Sequence, residues 1–154
     1  MSINPNLEEL YDQDAQDRVM NDSGELDDEA LEKQDKARLK EARKLLEAGE
    51  IALDEIWNCH YLCLLFMHSW SEDPEDFKKA HEFAKKAVGM GSKVTKWLYA
   101  ASLDRWLISQ GKLQKYGTQY NLETGYMLPC EEGTTDHERK KYFVAPLEEL
   151  RKRY

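Results

Sequence analysis

The side chains best suited to chemistry gather between Leu103 and Tyr120, in LDRWLISQGKLQKYGTQY. Asp104 and Arg105 lie on a helical pattern that stops at Gly111 and leads into a Gln114-x-Tyr116-Gly117-Thr118-Gln119 turn. Trp97, Ala101, Asp104 and Ile108 share one helix face, which sets Asp104 in an apolar stripe where an unpaired carboxylate is expensive. Arg105, Arg18, a histidine or a loop hydroxyl could pair with it. Asp104 then either anchors the following loop or has its pKa raised by desolvation, as general acids and bases are tuned. His68, beside Ser69 and Trp70 at the end of the longest apolar segment, is a second candidate proton carrier. Arg105 suits an anion or oxyanion, and Tyr116 is an orienting hydrogen-bonder that completes the candidate catalytic set.

Candidate substrate-binding residues are Asp14, Arg18, Tyr61, Trp70, Gln114 and Gln119. Asp14 and Arg18 continue the stripe begun by Leu7, Leu10 and Tyr11, so they form either an exposed ion pair or a pair facing a polar pocket. Trp57, Tyr61, Trp70, Trp97, Tyr99 and Trp106 supply either core packing or an aromatic wall. A metal is not expected. His60 and His68 stand roughly 12 Å apart along a helix, and no HExxH, CxxC or Glu-x-x-His pattern occurs. Cys59 and Cys63 read as packing thiols.

These residues must be positioned by helices. Asn4-Pro5 opens the first, which runs to about Asn21; NDSG follows as a loop, and Asp28 to Ala48 forms a second helix, mostly facing water. Asp54 to Trp70 is apolar nearly all round and predicts a central helix buried on several sides. Asp73-Pro74 starts another, closed by Gly89 and Gly91, and Lys93 to Gln110 follows. Alternation over Thr118 to Leu122 and Gly125 to Leu128 predicts a short β-hairpin, and a broken helix over Thr135 to Tyr142 and Pro146 to Tyr154 closes the chain. The expectation is a single mainly α domain over 1–154. It comprises a first helix and loop over 1–27, a helical core over 28–111, a loop and hairpin over 112–134 and a C-terminal helix over 135–154. Five to six helices and one hairpin make up this bundle.

A chain of 154 residues with a formal charge of −8 is long enough for a real core and poorly suited to a phosphate-backbone partner. Arg139-Lys140-Lys141 and Arg151-Lys152-Arg153 read as solvated helix ends. The three cysteines suggest no disulfide framework, and no segment reaches the ~20 apolar residues of a bilayer span. Cytoplasmic placement is therefore expected, with no membrane or nucleic-acid partner.

Asp14-x-x-Asp17-Arg18, the FMHSW segment, Asp104-Arg105, the Gly111 to Gln119 run and Pro146-Leu147 together resemble a family of small intracellular helical proteins of unknown function. The likeness covers most of the chain, and its Gln-x-Tyr-Gly-Thr-Gln piece is the most specific part. Leu113 stands where that pattern has Pro, and Ser69 where it has Gly. The resemblance implies where a site lies, not which reaction it performs. Residues 76–106 also resemble one Sel1-like or tetratricopeptide-like helical hairpin, in a single copy.

No GxGxxG, GxxxxGK[ST] or GxSxG motif is present, and no cofactor is expected. The leading expectation is an acid-base enzyme, an isomerase, cyclase, dehydratase or hydrolase, acting on a small organic metabolite in a helical pocket. The alternative is a non-catalytic interaction module that presents a groove to a peptide or protein. Nothing in the sequence sets the oligomeric state, and a homodimer is compatible with it.

Overall fold

A computed structural model describes residues 2–152. Over these residues the chain forms seven helices: α1 Pro5–Asp22, α2 Asp28–Glu47, α3 Ile56–Met67, α4 Pro74–Gly89, α5 Lys96–Ser109, α6 Asp136–Lys141 and α7 Leu147–Lys152. The last two residues of the expected C-terminal helix lie outside the described residues. None of the helices is long and apolar enough to cross a membrane.

Local chemistry sets the helix ends. Asn4 caps α1 by accepting the Leu7 N–H at 3.0 Å, with Pro5 in the first turn. Asp27 and Asp73 cap α2 and α4 in the same way. The apolar segment yields a shorter helix than expected, because Glu55 caps its start and the chain turns out of it at His68.

α3 packs on α1, α2, α4 and α5, the central position its all-round apolarity implies. Leu62, Leu65 and Phe66 fill the core against Leu7, Leu39, Ala80, Ala84 and Ala101. The alanines of α4 and α5 are completely buried, and their small side chains let these helices lie close to α3 and to each other.

The expected β-hairpin is absent. Only two isolated bridges form among the described residues, Gln114 with Cys130 and Tyr120 with Met127. Side chains take the backbone groups a ladder would use. The Gln114 amide donates to the carbonyls of Gln119 and Leu128, both at 2.8 Å, and accepts the Gln119 N–H at 2.9 Å. Asn121 Oδ1 accepts from the N–H groups of Glu123 and Thr124 and closes the tip of the excursion.

A second correction concerns Arg139, which is buried and not part of a solvated helix end. Its guanidinium donates to the carbonyls of Tyr116 and Thr134, both at 2.8 Å, and so ties α6 to the Gly111–Gln119 loop. The broken C-terminal helix is present as α6 and α7, divided at Phe143, whose φ is 58°.

Candidate functional site

The C-terminal end of α3 carries the most reactive arrangement. His68 is the residue after the last helical turn, and its Nδ1 lies 2.8 Å from Asp14 Oδ2, fifty-four residues away on α1. A carboxylate can only accept, so Nδ1 carries the hydrogen and Nε2 holds the lone pair. Burial pushes the His68 pKa below its ordinary value, and the bond and charge of Asp14 act in the opposite sense. The ring is therefore neutral near pH 7.

Around this pair lies a buried ionic network. Arg18 Nη1 sits 3.2 Å from Asp14 Oδ2, and the same guanidinium binds Asp35 through two bonds of 2.9 and 2.7 Å. Asp35 also accepts from Arg38 at 2.6 Å and from the Trp70 indole N–H at 2.7 Å. Burial would raise the Asp35 pKa. The bonds from Arg18, Trp70 and Arg38 outweigh it and hold the value at about 2. Arg38 reaches Asp17 as well. Asp14 and Arg18 are thus partners inside the fold and not an exposed helix pair. Two polar atoms in the same network, Asp14 Oδ1 and Arg38 Nε, are buried with no hydrogen-bond partner.

Trp70 frames the opening. It has φ 57°, a left-handed conformation that a bulky residue rarely adopts, and the indole bond to Asp35 holds it there. Its ring remains about half exposed beside a recess of about 510 Å³ lined by Arg18, Leu31, His68, Phe77 and Arg105.

Arg105 enters this recess from α5. Its Nε donates to Gln119 Oε1 at 2.9 Å and its Nη1 to the Met67 carbonyl at 2.7 Å. Among the described residues no carboxylate pairs with it, and its Nη2 has no partner. Burial, with Arg18 nearby, lowers its pKa from the usual guanidinium value, although the group stays charged at any physiological pH.

Two of the expected catalytic residues stand elsewhere. Asp104 is fully buried. Its Oδ1 accepts the N–H groups of Lys115 and Tyr116, at 2.8 and 2.9 Å, and its Oδ2 accepts the Thr118 N–H at 3.0 Å and hydroxyl at 2.7 Å. It therefore anchors the loop, with Thr118 as the hydroxyl partner. Tyr116 is buried edge-on against Tyr142, 5.5 Å between ring centroids, and burial raises its pKa. Of the candidate binding residues, Gln114 is an internal brace of the loop and Gln119 orients Arg105. Tyr61 packs in the core beside Tyr11, 4.6 Å between ring centroids, and does not line the His68 recess. Of the six aromatic-wall candidates, Trp70 alone lines the His68 recess.

Asp35, Arg38 and Phe77 join the site without having been among the residues expected there. A signal for the first two exists, because Leu31, Asp35, Arg38, Leu39 and Ala42 share the buried face of α2, and a charged residue on such a face needs an internal partner.

Asp14, Asp35 and His68 bring potential metal ligands within 4.8 Å of one another. The Arg18 guanidinium already bonds both carboxylates, so a metal ion would have to displace it. No protein-family model, curated protein or solved structure matches the chain.

Proposed function

We propose that this chain is a small enzyme that performs acid-base chemistry without a cofactor on a small organic anion held beside Arg105 and Arg18. The observation that carries the reading is the 2.8 Å bond from His68 Nδ1 to Asp14, which leaves Nε2 unprotonated on a ring that lines the recess. A carboxylate-oriented neutral imidazole is a general base near neutral pH.

Each neighbouring residue then has a definable part. The positive charge of Arg105, unmatched by a carboxylate, attracts the anionic group and stabilises negative charge that develops on the substrate. Trp70 and Phe77 limit water access at the walls. His68 Nε2 takes a proton from substrate carbon or hydroxyl, and the Asp14 carboxylate stabilises the imidazolium. The same proton returns to another substrate atom in an isomerisation or cyclisation, or leaves with hydroxide as water in a dehydration. Asp104, Gln114 and Tyr116 act at a distance, by fixing the loop that presents Gln119 to Arg105.

The test is incubation of the protein with a panel of small organic acids in D2O, read by mass spectrometry for conversion or deuterium uptake. The parent converts or labels at least one acid, and His68→Gln lowers that rate by roughly 100-fold or more while the folded state persists. An equal rate in the variant, or no reaction across the panel, contradicts the proposal.

A further inference from the structure

A second recess, also about 510 Å³, lies on the other side of Arg105 and Phe77, which line both. Its walls are formed by the segment after α3, the last turn of α5 and the loop that Asp104 and Gln114 hold in place. Phe77, Ile108, Tyr120 and Leu128 supply apolar surface there, each only partly buried. Ser71, Ser109 and Gln119 supply polar edges, and the exposed Glu72 carboxylate stands at the rim.

Resting on the acid-base reading above, we infer that the two recesses form one substrate groove, and that its occupant is an elongated organic monocarboxylate. The carboxylate lies on Arg105 where the recesses meet, the reacting end faces His68, and an apolar or aromatic body extends along Ile108 and Leu128. Three observations lead to this occupant.

The first is charge. Arg105 is the guanidinium of the site without a carboxylate partner among the described residues, whereas Arg18 is engaged by Asp14 and Asp35. Asp28 lines the first recess and Glu72 the second, so the site carries no excess of positive charge as a whole; a single guanidinium free of carboxylate contact suits a monoanion at short range, and a phosphate dianion would need further donors. The second is geometry. Gln119 and the Met67 carbonyl fix the Arg105 plane from two sides and leave Nη2 without a partner among the described residues. The third is size. Each recess has the volume of a small-ligand pocket, so a molecule touching only His68 and Arg105 would leave the apolar walls of the second one wet.

Ligand titrations followed by NMR test this, with acetate, 4-phenylbutanoate and 4-phenylbutanamide as probes. The parent binds 4-phenylbutanoate at least tenfold more tightly than acetate or the amide. Arg105→Met removes the preference for the acid over the amide. Ile108→Trp, which fills the second recess, weakens 4-phenylbutanoate at least tenfold and leaves acetate unchanged; Leu128→Trp repeats the test on a different element, with circular dichroism confirming that each variant is folded. His68→Gln retains binding, which separates this inference from the question of catalysis. If acetate binds through Arg105 but the phenyl group adds no affinity, or if both tryptophan variants bind 4-phenylbutanoate like the parent, the groove is wrong and the smaller anion site survives. If neither acid perturbs the resonances around Arg105, both the groove and the anion site fail.

Discussion

Asp14 and Asp104 are alike in the sequence, each a carboxylate on an otherwise apolar helix stripe, but their partners give them different work. Asp104 accepts four hydrogen bonds, all from residues 115–118, and is a fastener for the loop. Asp14 leaves Oδ1 without a partner and directs its other oxygen to His68 and Arg18. Asp104→Asn would set an amide N–H₂ against backbone donors and is expected to lower stability by about 3 kcal/mol or more, checked by urea unfolding. An unchanged midpoint would contradict the anchoring role. Burial of Asp104 was legible from helical periodicity, whereas the same periodicity left Asp14 open between an exposed ion pair with Arg18 and a polar pocket. Which partners they meet was not, because His68 reaches Asp14 across fifty-four residues and only the packing of α1 on α3 brings them together.

At the level of elements, caps and stops translated well. Asn4-Pro5, Asp73-Pro74 and the all-round apolar segment became α1, α4 and α3. Alternation misled over residues 118–128, because a period of two states only which side chains could share a face. Strand pairing also needs free backbone groups, and here Gln114 and Asp104 had claimed several of them. The charged composition of α2 misled as well, since a helix expected to face mostly water hid the buried Asp35 and Arg38. Gly117 shows how tightly the loop is held. It has φ 91°, and an added Cβ would lie 3.0 Å from Met127 Sδ and 3.1 Å from Leu150 Cδ1. Gly117→Ala is expected to destabilise by about 1–2 kcal/mol through backbone strain, with α7 displaced as Leu150 gives way. Thermal unfolding together with hydrogen exchange at Leu150 reads both effects, and a parent-like result in each would contradict this packing.

For the whole molecule, charge and burial set the response to acid. Residues 1–50 hold fifteen acidic against seven basic side chains, while the remainder balances at fifteen each, so the full −8 resides on the α1–α2 side. The proposed anion site faces this acidic half, so its affinity would come from short-range contact with Arg105 and not from the overall field. His60, His68 and His81 are all held below the ordinary histidine pKa by burial, His81 at about 4. A histidine with a depressed folded pKa is protonated first in the unfolded chain. Stability therefore falls as pH drops below about 6.5 and continues to fall toward the folded-state values. Asp35 adds its own loss at lower pH, beginning near the ordinary aspartate value of about 3.9 and continuing toward 2. Melting curves from pH 7 to 4 should show a steady decline, made shallower by His81→Asn. A flat profile would mean that these histidines are not buried as described.

The most direct test of the central claim is the protonation state of His68, read by long-range ¹H–¹⁵N NMR in the parent and in Asp14→Asn. A neutral ring is expected at pH 7 with the hydrogen on Nδ1, titrating below the ordinary histidine value, and titrating lower still when the Asp14 charge is removed. A hydrogen on Nε2 at pH 7, or a His68 titration that Asp14→Asn leaves in place, would show that Asp14 does not hold this imidazole as a base facing the recess.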